Sequence, residues 1–198
     1  MSIGTLPQQR RVTSDGVHRS LGLIHGEVIM AVGQLRRGEL AAVAELISDA
    51  PRIFLAGAGR SGLVLRMAAM RLMHLGLDVH VAGDTTTPAI RSGELLIAAS
   101  GSGTTSGVVK AASTAAAVGA RIAAFTTDGA SPLAARAEAV VIIPAARKAD
   151  HGGSASRQYS GSLFEQVLLV ATEALFQSLW EVDGTPAEEL WLRHANIE

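Results

Sequence analysis

The 198-residue chain contains no cysteine. That excludes disulfides, thiol catalysis and thiolate metal sites, and it fits a reducing compartment. Aromatic residues make up only 4%, too few for the stacking platforms that bind single-stranded nucleic acid. Neither sign of charge dominates, because 17 Lys and Arg stand against 18 Asp and Glu. There is then no basic field to draw in nucleic acid and no polybasic membrane anchor. No uninterrupted apolar run approaches the ~20 residues of a membrane helix. The polar opening, "MSIGTLPQQRRVTSDGVHRS", lacks an apolar core of signal-peptide length. A cytoplasmic protein is the expectation, with neither membrane nor nucleic acid as a partner.

What remains is apolar and glycine-rich. Hydrophobic residues make up 48%, charged residues 18%, and there are 21 glycines, which suits a compact α/β protein and excludes a disordered chain. The length fits one good-sized domain. Residues 1–18 read as a polar tail. Across 19–50 the spacing of Leu21, Ile24, Val28, Leu35, Leu40, Val43, Leu46 and Ile47 predicts two helices, broken near Arg36-Arg37-Gly38. From 51 to 182 strands and helices alternate. The strands are "RIFLAG", "DVHVAGD", "ELLIAAS", "RIAAFTTD" and "AVVIIPA". Between them lie helices over Leu63–Leu75, closed by Gly76, and from the second glycine loop to about Val118, closed by Gly119. A short helix in "SPLAARA" has Ser131 as its cap and Pro132 in its first turn. A long polar loop over 145–160 leads to a strong helix from about Ser162 to Glu181, and 183–198 form a helical tail.

Apolar strands that do not alternate in polarity imply a doubly wound five-stranded parallel sheet covered on both faces. Right-handed crossovers place the loops after each strand at one edge. In the order 2-1-3-4-5, strands one and three flank the switch point. The glycine loops 57–62 and 100–105 then face each other across one crevice.

The first loop, "GAGRSG", matches G-x-G-x-x-G between a strand and a helix, so a dinucleotide site is one reading. Asp84, however, sits beyond a glycine rather than at a clean strand end. A turn merely tightened by glycine is the other reading. The second loop, Ser100-Gly101-Ser102-Gly103-Thr104-Thr105, says more. A helix N-terminus offers unpaired N–H donors and a positive dipole end, and four hydroxyls can add donors. With no lysine for a nucleotide's outer phosphates, neutral donors suit a single phosphate on a small molecule. Helix capping would account for one hydroxyl and leave the others unexplained.

These loops, with "RLMHLG" (71–76), "GDTTTPAI" (83–90), "GSLFEQ" (161–166) and "RHAN" (193–196), resemble the sugar isomerase (SIS) domain family and, within it, the 6-phospho-3-hexuloisomerases. The resemblance runs in order from Gly57 onward and implies a flavodoxin-like strand order. It implies conversion of 3-hexulose 6-phosphate to fructose 6-phosphate, the step of formaldehyde fixation that follows 3-hexulose-6-phosphate synthase. It also implies no metal, no cofactor and a homo-oligomer, typically a tetramer. By resemblance Ser100, Ser102 and Thr105, with Gly103 and Thr104, match the phosphate loop, and Ser61, with Gly59 and Arg60, the sugar contacts. Glu165 matches the general base, and His194 a second catalytic group that reaches a neighbouring subunit. Two departures stand out: many relatives carry Arg and Glu at positions 104 and 106, and a Met-Pro segment where this chain has "YSGSLFE".

Moving a ketone from C3 to C2 needs one carboxylate above both carbons, with its pKa near neutrality. Glu165 lies between Phe164 and, beyond Gln166, Val167, an apolar setting expected to raise a carboxylate. Alternatively it closes a capping box with Ser162. Among six histidines, His194 is the first choice for moving hydroxyl protons and His74 the second. His18, His25, His80 and His151 are read as structural, and their scatter predicts no metal site. The rival functions are a non-catalytic sugar-phosphate sensor, a dinucleotide oxidoreductase or another sugar-phosphate isomerase. The 145–160 loop or a partner's tail is expected to close the site.

Overall fold

The computed structural model describes residues 11–145 and 156–197. Five strands form one parallel sheet: β1 (Ile53–Gly57), β2 (Val79–Val81), β3 (Leu95–Ala99), β4 (Arg121–Thr126) and β5 (Ala139–Ile142), in the order β2-β1-β3-β4-β5. The expected topology is thus observed. Ile53 pairs with Val79 on one side and Leu95 on the other, and Gly57 ends level with Ala99. The ends of β1 and β3 therefore open at the same height.

Alternate residues of the central strands face opposite cores. Ile53, Leu55, Leu95, Ile97, Ala123 and Phe125 point to one, with Phe54, Ala56, Leu96, Ala98, Ile122 and Ala124 pointing to the other. This double burial explains why their sequences do not alternate. The first core is covered by α1 (Ser14–Gly33), α2 (Arg37–Asp49), α3 (Gly59–His74) and α5 (Ser162–Asp183). Among the described residues the second has only α4 (Ser106–Ala117) and a single 3-10 turn, Ala134–Arg136. The β2–β3 connection carries no helix. Beside it lies a cavity of about 600 Å³, lined by Phe54, Ala56, Thr87, Ile90 and Leu96 with Lys110 at its wall.

The expected N-terminal helices pack on α5, and α2 also on β5. Glu39 at the start of α2 accepts the Ile142 amide of that edge strand at 3.0 Å. The first helix begins at Ser14, earlier than the apolar spacing predicts, because the Thr13 hydroxyl accepts the Gly16 amide and caps it. Gly76 closes α3 as predicted, with φ +89° and a Leu77-to-Leu72 bond. The helix predicted in "SPLAARA" shortens to the 3-10 turn; its cap is Leu133 rather than the expected Ser131, whose hydroxyl accepts the Ala134 amide. Most of the 145–160 loop, His151 included, lies outside the described residues. After Gly184 ends α5 with φ +73°, a short α6 (Ala187–Trp191) begins the tail.

Candidate active site

The predicted helix start at Leu63 is four residues late. α3 begins at Gly59, so Ala58 alone separates it from β1, and Arg60 and Ser61 sit in the first helical turn. Glycine makes this turn possible. A Cβ on Gly57 would lie 2.9 Å from the Gly62 backbone, and one on Gly62 would lie 2.7 Å from the Gly57 carbonyl oxygen. The first and last glycines of the motif therefore serve strand-to-helix contact. Asp84, the acid a dinucleotide fold would use on a ribose, is held by both terminal nitrogens of Arg66. That pairing pulls the Asp84 carboxyl below its usual range.

The second loop is anchored from beneath. The Gly101 carbonyl accepts the Thr127 amide and both the Thr126 and Thr127 hydroxyls, and the Gly103 carbonyl accepts the Leu133 amide. Gly103 has φ +64°, and a Cβ there would fall 2.2 Å from the Cβ of Ser131. No other residue type fits that position without moving the loop. Above this base the hydroxyls pair with each other: Ser100 with Thr105 at 2.9 Å, and Thr104 donating to Ser102 at 2.9 Å. No side chain caps α4. The capping reading of these hydroxyls is therefore wrong, and the first-turn amides of α4 remain available to an anion.

The third element is the start of α5. Gly161, at φ +83°, precedes Ser162, which already belongs to the helix, and no side chain caps it. The capping box between Ser162 and Glu165 is thus not formed. The Phe164 ring packs 3.5 Å from where a Gly101 Cβ would stand, so α5 starts directly over the 100–105 loop. Glu165 is 3% exposed, and its carboxylate accepts Arg60 Nε at 2.9 Å. The purely apolar setting expected from its neighbours is corrected by this cation, which comes from 105 residues away in the sequence.

Gly59, Arg60, Ser61, the Ser100–Thr105 loop and Glu165 are therefore brought to one crevice at the ends of β1 and β3. Ser61 and Ser100 are buried there, and Arg60 is open to solvent. His194 is not with them. Its ring lies 4.0 Å from that of His74 and tilted to it by 32°, at the last residue of α3. The rise of a helix puts that point roughly 20 Å from Arg60. Thr87 lines the other cavity and donates its hydroxyl to the Val81 carbonyl, so that threonine serves its turn. The same cavity contains neither Glu165 nor the loop hydroxyls. Among the described residues no group of His, Asp and Glu is arranged to hold a metal ion.

One clamp had no sequence signature. Glu27 of α1 accepts the Ser156 hydroxyl, the Arg157 amide and the Gln158 side chain, and Gln158 in turn accepts from Gln166, next to Glu165. It fixes the approach to α5. Burial pushes the Glu27 carboxyl up, but these bonds and the Arg157 charge outweigh it and hold it below 4.5.

The SIS domain model matches residues 46–170. The 3-hexulose-6-phosphate isomerase of Mycobacterium gastri is 63% identical over 188 residues, covering 95% of this chain and 94% of its own. The 3-hexulose-6-phosphate isomerase of Bacillus subtilis is 38% identical over 157 residues, 79% of this chain and 85% of its own. A crystal structure from Methanococcus jannaschii, for which that isomerase function is inferred, superposes with a TM-score of 0.79. It is 26% identical, over 91% of this chain and 99% of that one.

Proposed function

The chain belongs to the SIS domain family and, within it, to the 3-hexulose-6-phosphate isomerases, and on that premise we propose that its crevice converts 3-hexulose 6-phosphate to fructose 6-phosphate with Glu165 as the base. The observation that carries this is the meeting of the buried Glu165, Arg60 and an uncapped, hydroxyl-lined helix start in one crevice.

The phosphate sits at the N-terminus of α4. Ser100, Ser102, Thr104 and Thr105 exchange their mutual hydrogen bonds for phosphate oxygens, and Gly103 keeps the backbone near enough to donate. Binding at that end orients the sugar chain toward α5. Gly59 and Ser61 meet its hydroxyls. Arg60 uses Nε on Glu165, which leaves its Nη groups for the oxygens on C2 and C3. Glu165 takes the proton from C2, and the electron pair forms the C2–C3 double bond of the enediol as O3 is protonated. Glu165 then returns its proton to C3 while O2 loses one. The net change moves one hydrogen between carbons and one proton between oxygens, and one carboxylate serves both carbon transfers.

The oxygen protons need a second group. His194 is too far from Glu165 within one subunit, so it serves the site of a neighbouring copy. Support for such a neighbour comes from α3, where Leu63, Met67, Met70 and Met73 are all exposed at helical spacing, and from the exposed Trp191 and Leu192 of the tail. The assembly is a homotetramer in the cytoplasm, working next to 3-hexulose-6-phosphate synthase in formaldehyde fixation. No described helix is long and apolar enough to cross a membrane.

The test generates the hexulose phosphate in place from formaldehyde and ribulose 5-phosphate with the synthase. Fructose 6-phosphate is then followed through phosphoglucose isomerase and glucose-6-phosphate dehydrogenase. Rapid production is expected. No production, with every coupling enzyme active, would overturn the assignment.

A further inference from the structure

Two segments far from the crevice, 71–76 and 193–196, meet across 119 residues of sequence. Arg193 Nη1 donates to the His74 carbonyl at 2.6 Å. At the end of α3 the Arg71 carbonyl accepts from Leu75, that of Leu72 from Leu77 and that of Met73 from Gly76. His74 is the carbonyl these turn bonds leave open, and Arg193 fills it. Gly76 makes the seat: a Cβ there would lie 3.1 Å from Arg193 Nη2 and 3.2 Å from its Cζ. This glycine therefore provides both the left-handed turn and the space for the guanidinium.

With Arg193 seated, the next residue has little freedom. The His194 amide donates to Trp191 at 3.1 Å, and its ring lies between His74 at 4.0 Å and Trp191 at 4.5 Å. His74 is 3% exposed and forms the floor. His194 is exposed, so its ring edge faces away from its own subunit. An arginine on a backbone carbonyl, a glycine beneath it and two rings against the imidazole amount to more than a helix end needs.

We infer that Arg193 is a positioning residue for the isomerisation: seated on Gly76 and the His74 carbonyl, it presents His194 to the neighbouring subunit's crevice in one orientation. This rests on the reading of His194 as the group that serves that crevice. A ring free to swing would still bind no substrate and lose no affinity, but it would meet the oxygens of C2 and C3 less often. The cost falls on turnover rather than on binding.

The test measures kcat, KM and Tm for full-length Arg193→Ala, Arg193→Lys, Gly76→Ala and His194→Ala in the coupled assay. Arg193→Ala is expected to lower kcat about 10- to 100-fold with KM within about twofold. Arg193→Lys, which still reaches the carbonyl, is expected to restore most of the loss. Gly76→Ala is expected to reproduce the kcat defect by displacing the guanidinium. If His194→Ala is inactive while Arg193→Ala turns over like the wild type, the seat is not needed and the inference fails alone. If Arg193→Ala loses activity only in step with Tm, and lysine does not rescue it, the residue is merely structural and the inference also fails. If His194→Ala keeps wild-type kcat, the underlying reading of His194 fails and the inference falls with it.

Discussion

The two ends of α3 are built differently. At its N-terminal end Arg60 and Ser61 stand over a crevice whose hydroxyls bond within their own loop, beside a helix start that no side chain caps. At its C-terminal end every carbonyl of the last turn has a partner, two tilted imidazoles lie in contact and an arginine fills the space above a glycine. The first end keeps donors in reserve, as a binding site must. The second has its carbonyl acceptors filled from within the subunit and leaves one ring at the surface. On the proposed reading of Glu165 and His194, one helix carries half of a site at each end, and the two halves meet only between copies.

The largest effect is expected at Glu165, the proposed base. Glu165→Gln should lower kcat by roughly 10²- to 10⁴-fold while retaining substrate binding, as read by the coupled assay together with calorimetric titration. Near wild-type turnover would remove the catalytic meaning of the crevice end. Next comes the 100–105 loop, the proposed phosphate site. Gly103→Ala should cost about 3 kcal/mol, since it adds left-handed strain to overlap with Ser131, and should raise KM. Gly59→Ala, at φ +55° with nothing within 4 Å, should cost only about 1 kcal/mol. Thermal denaturation of the pair separates packing from backbone strain, and equal losses would deny the Ser131 contact.

The smallest effects are in pH, and they separate the two ends. Burial first, then the charges of His194, Arg71 and Arg193, hold His74 below its ordinary 6.5. The folded protein thus favours the neutral ring, so this contribution to stability is complete above 6.5 and declines as pH falls below it. Glu27 at the crevice end, held below 4.5, contributes fully above that value and is lost only as pH falls through its lower folded value. Melting curves of His74→Gln and Glu27→Gln against wild type should therefore converge in different windows, the first starting below pH 6.5 and the second only below pH 4.5. Convergence in the same window would contradict the assignment.

Much of this was legible because it is local or periodic. Doubly buried strands announce a parallel sheet, and Gly76 and Gly119 mark helix ends. What could not be read depends on partners distant in sequence. Glu165 shows its apolar neighbours in the chain, whereas its closest charged partner is Arg60, placed there by the strand order. The Glu27 clamp joins α1 to the approach of α5 with no motif at either end. The helix start at Gly59 was hidden for another reason: glycines that look like a loop are what let backbone approach backbone. His194 was named by resemblance, but only the fold shows that it lies at the other end of α3 from the base.

The most direct measurement is subunit complementation. Glu165→Gln and His194→Ala chains, each of low activity, are unfolded together in equal amounts, refolded and assayed. If each site takes its base from one subunit and its histidine from another, a random mixture should recover about a quarter of wild-type specific activity. A mixture no more active than its components would contradict a site shared between copies.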